Sequence, residues 1–212
     1  LLTALTSPFA VNDIPLRLNA LFGNSPQGSF VRSLLHISAK DLTFTDEPDG
    51  SKKAVFDVIA VGFGNNGAPV DQVSKTYTMN INKDVFARAL EKGFVYDFSF
   101  PMKKPGALQL RVAIRDHASE KVGSANQFVE VPNLKKKRLT LSGVVLENMP
   151  FATWERLAKG APFTDTDRTD PLNATSLRRF KQGTVLNYGF TIFNAKAAPG
   201  QAPSLTAQIK LF

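Results

Sequence analysis

The chain has no cysteine. Disulfide frameworks, thiolate zinc sites and cysteine nucleophiles are therefore excluded, although the compartment is left open. Histidine is almost as scarce: only His36 and His117 occur, too few for a histidine-built metal site. One Trp and three Tyr leave little for stacking sugars. No apolar run approaches the roughly 20 residues that cross a bilayer, so membrane insertion is not expected. No secretion leader is visible, and the first residue is Leu1 rather than Met, so the natural N-terminus is expected upstream. Acidic residues are sparse in the last third. Residues 134–212 carry 12 basic and five acidic side chains, against 14 and 13 in residues 1–133. Most of the net charge of +8 therefore belongs to the C-terminal part. Such a charge fits an acidic protein, an anionic glycan, a membrane surface or nucleic acid as well as a solvated surface.

Phenylalanine is abundant instead, with 17 residues. Together with the β-branched residues it fits a pleated, half-buried surface. Apolar side chains recur at every second position, as in Ile14, Leu16, Leu18, Ala20 and Phe22, and in Leu108, Leu110, Val112 and Ile114. Period two is the strand signal. Phe30 to Ile37, Val55 to Phe63, Tyr77 to Ile81, Phe94 to Phe100 and Gln127 to Val131 read the same way. Turn chemistry separates them, at Asn24–Gly28, Asp46–Gly50, Asn65–Gly67, Pro105–Gly106 and Ser119–Gly123. Leu1 to Leu5 fits one helical turn before Pro8. Asp84 to Lys92 fits a helix capped by Asp84 and ended by Gly93.

Seven or eight short strands at near-regular spacing predict an all-β chain whose residues 1–133 form an immunoglobulin-like or fibronectin-like antiparallel β-sandwich. Pro132 to Arg138 reads as a linker. Residues 134–212 then offer strands at Leu139–Leu146, Val185–Phe193 and Leu205–Phe212 around a long polar stretch, Glu147 to Ser176. So few strands bury too little surface to stand alone. A second, incomplete β-sandwich is expected, truncated or completed by the first domain or another chain.

Residues 110–116 (Leu-Arg-Val-Ala-Ile-Arg-Asp), Val122-Gly123-Ser124-Ala125, Val129-Glu130-Val131-Pro132 and the run Leu139 to Leu146 carry a resemblance. This pattern resembles the C-terminal half of acidobacterial von Willebrand factor A-related domain proteins, best over residues 108–147 and loosely over most of the chain. The resemblance implies a secreted, periplasmic or cell-surface multidomain protein of unknown biochemical role. In such proteins an A domain holds a divalent metal through an Asp-x-Ser-x-Ser motif. That motif is absent, so no metal site carries over to any residue here.

Few constellations suit chemistry. Gly62-Phe63-Gly64-Asn65-Asn66-Gly67 spells G-x-G-x-x-G after a strand, but Ala68-Pro69-Val70-Asp71 follows where a dinucleotide site needs a helix. A hairpin turn is expected, and no cofactor. Asp116, His117 and Ser119 are neighbours in one turn, where a triad geometry is rarely reached. Asp165, Asp167 and Asp170, with Asn173 nearby, form a weak calcium candidate that lacks the Gly and terminal Glu of an EF-hand. Lys135, Lys136, Lys137 and Arg138 form a weak anion or partner site. No aromatic residue surrounds that run for base stacking, so nucleic acid is not expected. Asn173-Ala174-Thr175 matches a glycosylation pattern without a bacterial use for it. The row Phe94, Tyr96, Phe98 and Phe100 is expected to be the inner wall of the sandwich rather than a ligand platform. The sequence thus points to a non-enzymatic interaction or spacer module that takes a protein partner through loops or edge strands, the alternative being a carbohydrate-binding accessory module.

Overall fold

The computed structural model describes residues 1–164, 167 and 176–210. The first element, α1 (Leu2–Thr6), is the single turn expected before Pro8. Residues 11–14 then lie along the last strand of the sandwich (Val122–Val131), where Asn12 bridges Gly123 and the Ser124 amide donates to the Val11 carbonyl at 2.8 Å. Pro15, which has no amide to donate, marks the crossing to the opposite sheet. There β1 (Leu16–Ser25) and β2 (Gly28–Ile37) form a hairpin whose tight turn places Gly28 at φ 122°.

A short helical turn, Ala39–Asp41, leads to β3 (Thr45–Asp46), β4 (Lys52–Phe63) and β5 (Pro69–Ile81). Helix α2 (Lys83–Lys92) follows. It starts one residue earlier than expected, after Asn82, and no side chain caps it. Asp84 instead sits in the first turn, where a carboxylate favours the helix dipole. Gly93 ends the helix at φ 68°, as expected. A Cβ there would stand 2.4 Å from the Ile37 carbonyl oxygen, so only glycine fits. Then come β6 (Phe94–Pro101), β7 (Gly106–Asp116) and β8 (Val122–Val131).

These strands form two antiparallel sheets, β1-β2-β6 facing β5-β4-β7-β8, with β3 extending the line of β7 along β4. This is the all-β, immunoglobulin-like sandwich that the period-two rows predict. Phe22, Val31, Leu35, Ile37 and Phe100 from one sheet meet Phe56, Val58, Leu110, Val112 and Ile114 from the other, all buried. The aromatic row is an inner wall, with Phe98 and Phe100 buried 5.6 Å apart edge to face and Tyr96 stacked on Phe98 at 5.3 Å.

The linker contains a helical turn at Leu134–Lys136 capped by Asn133. Beyond it, β9 (Thr140–Leu141), β10 (Val145–Met149), α3 (Phe151–Ala158), β11 (Val185–Gly189) and β12 (Ile192–Phe193) make two antiparallel ribbons, β9–β12 and β10–β11. Three expectations are corrected here. The runs 139–146 and 185–193 each break in two, because their halves pair with different strands. The polar stretch from Glu147 starts within β10 and then forms a helix, since Pro150 precedes the first helical residue, a position where its missing amide does no harm. Residues 205–210 form no ladder, and Leu205 and Ile209 are exposed. Alternation alone does not make a strand without an edge to pair with. The second part packs on the first through the Gly143 amide on the Phe22 carbonyl (2.8 Å) and Phe193 against the Phe22 ring (5.9 Å).

Candidate functional site: an open flank ending in a basic cleft

The two long sides of the sandwich differ. On the β1/β8 side, residues 11–14 occupy β8, and the Gln127 side chain bonds both the amide and the carbonyl of Ala20, at 2.8 and 2.9 Å. A side-chain amide thus replaces a missing strand. Gly143 covers the edge of β1 next to it. On the β5/β6 side, no described residue pairs with the outer edge of either strand. Only side chains close the gap, with the Tyr77 and Tyr96 hydroxyls joined and their rings 4.7 Å apart.

The direction of the unpaired backbone groups follows from the ladder. The Val55 carbonyl accepts from the His117 amide at 3.0 Å and so faces away from β5. Val55 stands opposite Thr78. Antiparallel alternation therefore turns the amides of Thr78, Ser74, Thr76 and Asn80 outward, and that of Gln72 as well. The Gln72 amide agrees, since it takes the adjacent Asp71 carboxylate at 2.9 Å rather than β4.

At its N-terminal end β5 runs into a cleft of about 600 Å³ between the β4–β5 turn and the β6–β7 loop. Val70, Met102, Pro105, Ala107 and Leu108 give it apolar walls, and Lys103, Lys104 and Asp71 its charges. The G-x-G-x-x-G run is a hairpin turn, as expected: the Gly64 amide donates to Ala68 and the Gly67 amide to Gly64, both at 2.9 Å. Gly64, Asn65 and Asn66 also line the cleft, which the sequence could not reveal because the facing loop is some 40 positions away.

The other expected sites fall elsewhere. Ser119 Oγ donates to Asp116 at 2.6 Å, whereas His117 turns to Asp57 at 2.9 Å, so the three do not form a triad. Asp116 is fully buried. Burial pushes its pKa up, but bonds from Ser119 and Thr43 outweigh this and hold it low. His36 is buried in β2, and burial pushes its pKa down. Its Nε2 meets the Lys92 carbonyl at 2.8 Å, which makes it a cap for the end of α2. Asp167 pairs with Arg156 and accepts from the Thr164 amide at 2.7 Å, and the Arg156 guanidinium holds its carboxyl at about 2. Asp165, Asp170 and Asn173 lie outside the described residues, and no metal-holding group of carboxylates and histidines occurs among the described ones. Lys135, Lys136, Lys137 and Arg138 are exposed and form no ion pair with a described residue.

Sequence reading passed over Asp57, an acid in the middle of the apolar run Val55 to Phe63. It faces outward and accepts from Arg115 (2.9 Å), His117 (2.9 Å) and Thr76 (2.6 Å). Burial alone would raise its pKa, but those three donors hold it at about 2. A folded-state pKa below the unfolded value stabilises the fold above about pH 4 and loses that contribution as pH falls towards 2. Asp57→Asn is accordingly expected to destabilise the chain at neutral pH by about 1 kcal/mol, allowing for solvent screening. The gap to the parent should close in urea melts taken towards pH 2.

No family model matches the chain, and no curated protein matches it. Among solved structures, a Bacteroides uniformis β-glucuronidase aligns with 55% of this chain and 13% of its own at 12% identity, with a TM-score of 0.34. A calcium-binding mutant of β-glucuronidase 2 from the same organism aligns with 59% of this chain and 13% of its own at 12% identity and a TM-score of 0.33. A structural-genomics target aligns over 57% and 84% at 11% identity and a TM-score of 0.26. This chain spans a small part of the glucuronidases, and likenesses this shallow carry no argument about its activity.

Proposed function

We propose that this chain is a non-catalytic interaction module of an exported bacterial protein, which binds a protein partner by accepting an extended segment on the outer edge of β5. One observation carries this reading: β5 offers 13 residues of strand with an unpaired outer edge, while the opposite flank of the sandwich is covered. Unpaired strand amides and carbonyls are a template for a further strand. A catalytic reading has no comparable support, since Asp116, His117 and Ser119 are occupied separately. A glycan reading would have to use Phe151 and Trp154 of α3, whose rings are 5.6 Å apart but do not line the cleft.

The test is a displayed library of random decapeptides panned on the intact chain, followed by the same binding assay on Thr78→Pro. Proline at 78 removes an outward amide and leaves the β4 ladder intact. Binding of the selected peptides should weaken about tenfold or more with little change in melting temperature. Equal binding by parent and variant, or no selected peptide at all, overturns the proposal.

A further inference from the structure

We infer that the segment accepted by β5 carries acidic side chains at its C-terminal end, and that Lys103 and Lys104 in the cleft receive them. This deepens the β5 reading and rests on it. Three observations combine. First, edge and cleft are continuous: Pro69, Val70 and Asp71 belong to β5 and also line the cleft. A segment pairing antiparallel to β5 runs towards Pro69, so its C-terminal end enters the cleft.

Second, the sandwich gathers positive charge at this end. Gly106 stands opposite Val131 in the β7–β8 ladder. The loop before β7 and the linker after β8 therefore leave the sheet side by side. Lys103 and Lys104 share one end of the sandwich with Lys135, Lys136, Lys137 and Arg138, although the two runs are some 30 positions apart. None of the six forms an ion pair with a described residue. Asp71 is the one acidic residue in the cleft lining, and the Gln72 amide engages it.

Third, the chemistry of the lining selects among anions. A terminal carboxylate is captured by converging backbone amides. In the β4–β5 turn the amides of Gly64, Gly67 and Ala68 already donate to Ala68, Gly64 and the Asn66 side chain. Beside these engaged amides stand the two exposed ammonium groups of Lys103 and Lys104, which suit carboxylate side chains. No aromatic side chain lines the cleft, so it offers neither the stacking that single-stranded nucleic acid needs nor a platform for a sugar ring. Its apolar walls suit one aliphatic side chain of a strand instead.

The test pans the decapeptide library on the parent and on Lys103→Ala/Lys104→Ala, with Thr78→Pro as the edge control. The strongest parent-selected peptide is then synthesised with its C-terminal Asp and Glu residues kept, or changed to Asn and Gln. The acidic form should bind the parent about fivefold more tightly than the amide form, and the difference should shrink in high salt and vanish in the double lysine variant. The lysines are exposed, so the variant should keep the parent's melting temperature. Peptides that depend on the β5 edge yet show no acidic preference overturn this inference and leave the edge reading standing. Failure to select any peptide overturns both. Single-stranded DNA that binds the parent more tightly than every peptide, and loses that binding in the lysine variant, overturns the acidic-segment assignment in favour of nucleic acid.

Discussion

Phe100→Ala should lower the unfolding free energy by about 3–5 kcal/mol, the range for emptying a large aromatic site in a closed core. Phe100 is 1% exposed. It pairs with Val31 across β2 and meets Phe98 edge to face. Its cross-strand neighbour Val31 is held in the β2 ladders, and the facing core residues, Leu110 among them, are held in the other sheet. Relaxation is therefore limited, and the upper half of the range is expected. Urea melts of parent and variant measure it. A loss under about 1 kcal/mol would mean that the aromatic row is not the inner wall.

Gly123→Ala should cost about 3 kcal/mol through a different cause, the forced retreat of backbone. A Cβ at position 123 would lie 2.1 Å from the Ile14 carbonyl oxygen. Neither side can yield cheaply. Gly123 is paired with Ile114 in β7, and residues 11–14 are pinned by the Ser124 hydroxyl, which accepts from the Val11 amide at 2.8 Å. The N-terminal segment should then peel from β8, taking with it α1 and the Ser7 that follows it; the Leu5 and Ser7 carbonyls accept from Arg111. Hydrogen exchange reads this directly, as lost protection at Val11 and Ser124 with β2 and β6 unaffected. Uniform loss across both sheets would show that the segment is not an independent flap.

Much of the sandwich is legible because one physical rule, apolar side chains at every second position, holds for almost every strand from Leu16 to Val131. The turn at Gly64–Gly67 and the end of α2 at Gly93 were legible for local reasons, since both depend on backbone conformations that glycine allows. The cleft was not, because it arises where Gly64–Asp71 meets Pro101–Leu108, and no local pattern encodes that approach. Asp57 was hidden in the same way: its donors come from Thr76, Arg115 and His117, on other stretches of the chain. The second part was read least well. The alternation of Leu139–Leu146 and Val185–Phe193 marks extended backbone correctly, but says nothing about where a strand changes partner. The polar composition of Glu147 to Ser176 does not announce α3, whose first helical residue follows Pro150.

The unpaired outer edge of β5, proposed above to take a protein segment, is equally open to a second molecule of this chain. Two features oppose such stacking. Pro69 withholds one donor at the strand's start, and Lys75 places a cation along its course. The net charge of +8 adds a general repulsion between copies. That repulsion is screened by salt, whereas the backbone groups of the edge are not. Dilute buffer is therefore expected to keep the molecules dispersed, and concentrated salt to favour their coalescence along β5.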